Sequence, residues 1–206
     1  MSAVTIARFS SLVAAAGWLV GLPVVVMTAV LFVSDTTYFL FGVVVTVLGV
    51  TTAPIVFSYP AGSPVQFAPA VKGLGVLACV ALVVSGTLLV GASAGLIGAK
   101  APGWIPGAAA ISLTGFFVWV LFGSYSTRRS ALLGPLPFWL GLLAATSWLV
   151  ATLVSVVITF HTDTTLPIDM IFGLLIWLCL PAWLIALAMR MRPDSSNGKH
   201  AEVELR

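Results

Sequence analysis

Charge is what this sequence has least of. Only 7% of its 206 residues are Asp, Glu, Lys or Arg, whereas 60% are apolar. Soluble domains carry roughly a quarter charged residues, and a water-exposed globule cannot cover itself with so few. No acidic or basic side chain falls near the middle of any long apolar run. One placed there costs about 2.5–3.5 kcal/mol and usually marks an ion or proton path, so a proton-coupled pump is not expected. Histidine occurs twice, at His161 and His200, on opposite sides of the membrane in the topology derived below. That removes paired axial ligation of a transmembrane haem. Cysteine also occurs twice, as Cys79 and Cys179 in separate apolar runs with no CxxC. A quinone-linked thiol oxidoreductase needs a dithiol pair, so both are expected to be inert packing residues.

Enzyme signatures are missing as well. There is no GxSxG, no HExxH and no glycine-rich phosphate loop with its lysine, nor an acidic cluster suited to magnesium. The chain is expected to be no enzyme and to carry no cofactor. Its net charge of +3 comes from loops and the C-terminal segment, so the partner it implies is the anionic inner leaflet of a bilayer, not nucleic acid.

What is present is a set of long apolar runs. A helix needs about 20 apolar residues to cross roughly 30 Å of hydrocarbon. Six such runs are placed near Ser11–Val33, Tyr38–Phe57, Gly73–Gly98, Trp104–Tyr125, Leu136–Phe160 and Ile168–Met189. With the N-terminus in the cytoplasm, Arg8, Lys72, Arg128, Arg129, Arg190, Arg192, Lys199 and Arg206 fall inside and only Lys100 outside. The reverse orientation inverts that ratio, against the bias that insertion imposes on short loops. The expectation is an all-α, polytopic integral membrane protein with six transmembrane helices and both termini cytoplasmic, in a cell inner membrane. Residues 1–192 form the membrane domain, and 193–206, rich in Asp, Ser, Asn, Lys, Glu and Arg, a disordered cytoplasmic tail. Arg8 followed by Ala14, Ala15 and Ala16 has the look of a signal peptide, but the apolar run continues to Val33, so an uncleaved first span is expected.

Aromatic residues mark the expected interfaces, Tyr38, Trp104 and Phe160 outside, Tyr59, Tyr125, Trp139 and Trp183 inside. Pro23, Pro54 and Pro181 lie within spans and each removes a backbone hydrogen bond there, which predicts kinks. Three GxxxG pairs occur, Gly17/Gly21, Gly91/Gly95 and Gly103/Gly107. The small-residue run Gly91–Ala99 is the expected place for a tight helix contact. Ser34-Asp35-Thr36-Thr37 and Thr162-Asp163-Thr164-Thr165 precede the second and sixth spans. They fit either a hairpin repeat or the preference of such residues for helix N-termini, and the second is expected.

Two groups of residues are candidates for a site. Asp35, His161, Asp163 and Asp169 gather on the outer side. Carboxylate and imidazole together suit a divalent cation or a proton relay. The simpler role is capping of helix N-termini and complementing their dipoles, and that role is expected; no metal is assigned. In span five, Gly141, Trp148, Thr152, Ser155 and Thr159 share one helical face that leads to His161. A hydroxyl-lined face can border a narrow polar path. Small and hydroxylated residues also mark helix packing, which is the expected role.

The stretch Gly134-Pro135-Leu136-Pro137-Phe138-Trp139-Leu140-Gly141-Leu142-Leu143 and the final run Leu175-Ile176-Trp177-Leu178-Cys179-Leu180-Pro181-Ala182-Trp183-Leu184 resemble small uncharacterised six-span membrane proteins of high-GC bacteria. The resemblance implies a bacterial inner membrane and carries over no activity and no site residue. Two functions remain expected in turn: a non-catalytic accessory or partner subunit of a larger membrane assembly, associating with other subunits or with copies of itself, and alternatively a small-solute or ion channel or transporter.

Overall fold

A computed structural model of the chain describes residues 3–31, 35–58, 68–96, 104–130, 135–159 and 167–190. They form six α-helices: α1 (Ala3–Leu31), α2 (Asp35–Ser58), α3 (Ala68–Ser93), α4 (Trp104–Ser130), α5 (Pro135–Thr159) and α6 (Pro167–Arg190). Helix is what such a sequence must form in hydrocarbon, because no water is there to satisfy a free N–H or C=O. Among the described residues, α1 to α5 are long and apolar enough to cross a membrane, and α6 contributes a further apolar run at Gly173–Met189.

Proline and glycine punctuate the helices. Pro69, Pro106, Pro135, Pro137 and Pro167 all stand in first turns, where the missing N–H is one the helix would leave unpaired anyway. The α-helix continues through Pro23, Pro54 and Pro181. At the end of α3, Leu96 N–H donates to Gly91 O at 2.8 Å and Gly95 N–H to Ala92 O at 3.1 Å, with Gly95 at φ +73°. This is a Schellman cap with glycine in the left-handed position. Gly95 therefore ends a helix, with open space beside it, and is not part of a tight packing pair, which corrects the expectation at that position; residues 97–99 of the run lie outside the described residues.

Each helix packs on its neighbours in sequence, and α1 also packs on α6, so the six close into a ring. Neighbours run antiparallel. Gly17 of α1 faces Val47 of α2 and Gly21 faces Val44; Arg8 of α1 bonds Ala188 of α6 and Leu19 bonds Trp177. The closest approach is between α2 and α3. A Cβ added at Gly42 would lie 2.8 Å from Gly86 O, one at Gly86 would lie 2.7 Å from Gly42 O, and one at Gly49 would lie 3.0 Å from Cys79 O. Two backbones in this contact exclude every side chain larger than hydrogen. These glycines stand outside the three GxxxG pairs.

The observed helices differ from the apolar runs most at one end of α1 and of α4 and at both ends of α3, which stops at Ser93, five residues before Gly98. Helix α1 begins eight residues before Ser11, α3 five before Gly73, and α4 extends five past Tyr125 to Ser130. Hydropathy senses where lipid begins, whereas backbone hydrogen bonding carries a helix on through polar residues such as Thr5, Lys72, Arg128 and Arg129.

Candidate functional site

The ring has a filled axis. Phe116, Phe117, Trp119 and Val120 of α4 and Leu180, Trp183, Leu184 and Leu187 of α6 are at most 1% exposed. No water-filled lumen touches side chains that are this deeply covered. Trp119 and Trp183 meet edge to face, with ring centroids 5.9 Å apart and planes at 81°. Phe116 packs on both Phe117 (5.4 Å, edge to face) and Trp119 (5.8 Å, tilted at 41°), so the aromatics form one continuous cluster in which two of the three pairs adopt the edge-to-face geometry that ring quadrupoles favour.

Glycines on adjacent helices make room for the two indoles. An added Cβ at Gly75 of α3 would lie 2.6 Å from Trp119 Nε1, and one at Gly141 of α5 would lie 2.7 Å from Trp183 Nε1 and would also run into Ser124 Oγ. Trp183 was expected at the inner interface but is 0% exposed. Gly141 opens a seat for it in the interior, whereas Tyr38, Trp104, Tyr125 and Trp139 are about half exposed or more.

The polar face of α5 is partly accounted for by this packing. Gly141 is buried against Ser124 and Trp183. Trp148 stacks on Phe117 at 4.9 Å and 14°, and its Nε1–H donates to Thr114 Oγ1 at 3.1 Å. Thr114 in turn donates to Ala110 O at 2.9 Å. Thr152 is half-buried. Ser155 and Thr159 lie on α5, but their side chains are outside what is described. Elsewhere hydroxyls spend their protons on their own helix: Ser11 on Ala7 O, Thr46 on Gly42 O, Thr87 on Val83 O and Thr146 on Leu142 O, all at 2.7–2.9 Å. In an apolar medium this is the nearest acceptor available.

Of the outer cluster, Asp35 is the first residue of α2 and Asp169 the third of α6, as helix-terminal carboxylates should be. Their side chains are outside what is described, and His161 and Asp163 lie outside the described residues altogether. Among the described residues no three His, Cys, Asp or Glu side chains gather where a metal ion would be held. Cys79 and Cys179 are free thiols.

Three buried polar atoms have no hydrogen-bond partner among the described residues: Thr52 Oγ1 and the indole N–H groups of Trp18 and Trp183. Sequence reasoning missed them, because burial of one side of a helix is set by its neighbours.

On the outer surface, a cavity of about 250 Å³ lies between α1 and α2, lined by Gly17, Trp18, Gly21, Val43, Val44 and Val47 among others. Val20, Val43 and Val47 at its rim are exposed. The GxxxG pair of α1 forms one wall: Gly21 receives the Val44 side chain of α2, where an added Cβ would lie 2.7 Å from Val44 Cγ2, while Gly17 leaves ordinary contact distance to Val47.

Six helices, five of them long and apolar enough to cross a membrane, with an apolar exterior and aromatic rings packed at the centre define the class: a multi-helix membrane protein. No protein family, curated protein or solved structure matches the chain.

Proposed function

We propose that this chain is a non-catalytic, six-span protein of a bacterial cytoplasmic membrane that serves as a helical accessory or partner subunit of a larger membrane assembly. The observation that carries this reading is the filled axis. A ring whose centre is closed by Phe116, Phe117, Trp119 and Trp183 has its outer, lipid-facing surface left for work, and that surface is apolar, with Phe9, Phe57, Leu77, Ile111 and Leu153 each more than 60% exposed. In lipid, such surfaces associate through helix packing, which needs no catalytic groups.

Topology enters the same proposal. Helix α6 is 24 residues long, about 36 Å at 1.5 Å per residue, and runs antiparallel to α1, which supports a sixth span. The placement of eight of nine basic residues on one side supports cytoplasmic termini. A reporter fused after Arg206 should be active in the cytoplasm; activity only outside would overturn the orientation.

The decisive experiment is gentle detergent extraction of the natively expressed protein, followed by mass spectrometry of what co-purifies. A companion membrane protein at fixed stoichiometry is expected. Recovery of the chain alone, with solute flux in reconstituted vesicles, would overturn the proposal in favour of a transporter.

A further inference from the structure

We propose that Trp177, Leu19 and Pro23 form a latch that shuts the ring between its first and last helices. The α1–α6 seam is the only pair of ring neighbours not consecutive in the chain, so no short loop holds it together. Hydrogen bonds between side chain and backbone span it at two levels among the described residues. Arg8 Nε of α1 donates to Ala188 O of α6 at 2.9 Å, and Trp177 Nε1 of α6 donates to Leu19 O of α1 at 3.2 Å. Each helix thus supplies one donor and one acceptor. Arg8 and Leu19 are eleven residues apart, as are Trp177 and Ala188, so both contacts fall on a single stripe of each helix, three turns apart.

The Leu19 acceptor has a particular property. In a helix the N–H of residue i bonds the carbonyl of residue i−4. For Leu19 that donor would come from residue 23, which is proline and has none. This contact of the seam is therefore built on a carbonyl that the helix cannot satisfy by itself, because its partner position is a proline. In hydrocarbon the Leu19 carbonyl has no water to turn to, and the Trp177 indole, a donor only, needs an acceptor. One contact meets both needs, and it forms only when α6 lies against α1. Pro23 acts here as the element that makes the latch selective, since it leaves open the one carbonyl that Trp177 reaches.

The test is a double-mutant cycle in the full-length protein in nanodiscs. Ala15 lies between Arg8 and Leu19 on the same stripe of α1, at spacings of seven and four, and is 2% exposed. A thiol introduced by Ala15→Cys reports opening of the seam through its rate of maleimide labelling, read by peptide mass spectrometry so that Cys79 and Cys179 are counted separately. Trp177→Phe should raise that rate by about 2- to 12-fold, the equivalent of one net hydrogen bond. Pro23→Ala restores the backbone donor to Leu19, so Trp177→Phe should then change the rate by less than about twofold, since no hydrogen bond of that worth is left to lose. The same factor in both backgrounds would reduce Trp177 to a space filler and overturn the proposal. So would an unchanged rate on Trp177→Phe with Pro23 in place. If Trp177→Phe fails to fold, adding Pro23→Ala should restore the folded yield, and failure to restore it overturns the latch equally.

Discussion

Glycine stands in three different surroundings in this chain, and substitution separates them. At Gly141 an added methyl group would meet Ser124 Oγ and the Trp183 indole, so Gly141→Ala should cost about 1–3 kcal/mol of stability through overpacking. At Gly107 nothing lies within 4 Å of the added group, so Gly107→Ala should be neutral or stabilising by up to about 1 kcal/mol. Thermal midpoints in one detergent compare the two directly; equal midpoints would mean that the Gly141 seat is not closed. Gly95, at φ +73°, has free space but an unfavourable backbone, and Gly95→Ala should cost about 1–2 kcal/mol. Thr52 poses the opposite question. Its hydroxyl is fully buried and unpartnered among the described residues, so Thr52→Val, which keeps the shape and removes the polar atom, should raise stability by about 1 kcal/mol. A lower midpoint would show that the hydroxyl has a partner in the membrane. None of these contrasts is legible in the sequence, where all glycines read alike and a threonine carries no label of burial.

At the scale of elements, the helices themselves were legible. Apolar runs of 20 or more residues have few alternatives in a bilayer, and all six coincide with observed helices. The ends near Lys72 and Arg128 were not, because such polar residues extend a helix without registering as apolar. Pairing was harder still. Helices α2 and α3 approach most closely through Gly42, Gly49 and Gly86, which form no short-range motif because the matching residues lie on different helices. Replacing Gly86 by Leu should separate this hairpin, since the Gly42 carbonyl already sits 2.7 Å from where a Cβ would be. The expected outcome is loss of a monodisperse peak on size-exclusion chromatography, whereas an unperturbed profile would argue that α2 and α3 slide apart at little cost.

For the whole molecule, the competing readings of subunit and transporter meet at the polar face of α5. Gly141 and Trp148 on that face are engaged with α4 and α6, and the axis beside them is aromatic. Thr152→Val together with Ser155→Val should therefore leave solute flux in reconstituted vesicles unchanged, at the level of empty vesicles. A flux that is present in the parent protein and falls in the double variant would restore the transport reading.

Composition, hydropathy and the distribution of nine basic residues determined by themselves that this protein is helical, that its helices are apolar on all sides and where each one lies along the chain. Those properties are local: each depends on a run of neighbouring residues and on the solvent that surrounds them. Tertiary structure alone decided that the helices close into a ring, that Trp119 and Trp183 fill its centre over Gly75 and Gly141, and that Trp177 meets the carbonyl below Pro23. In a chain this uniformly apolar, hydrophobic pattern cannot tell an inward face from a lipid-facing one. The choice falls to shape and to a few backbone groups left without partners, and these become visible only when residues distant in sequence are brought together.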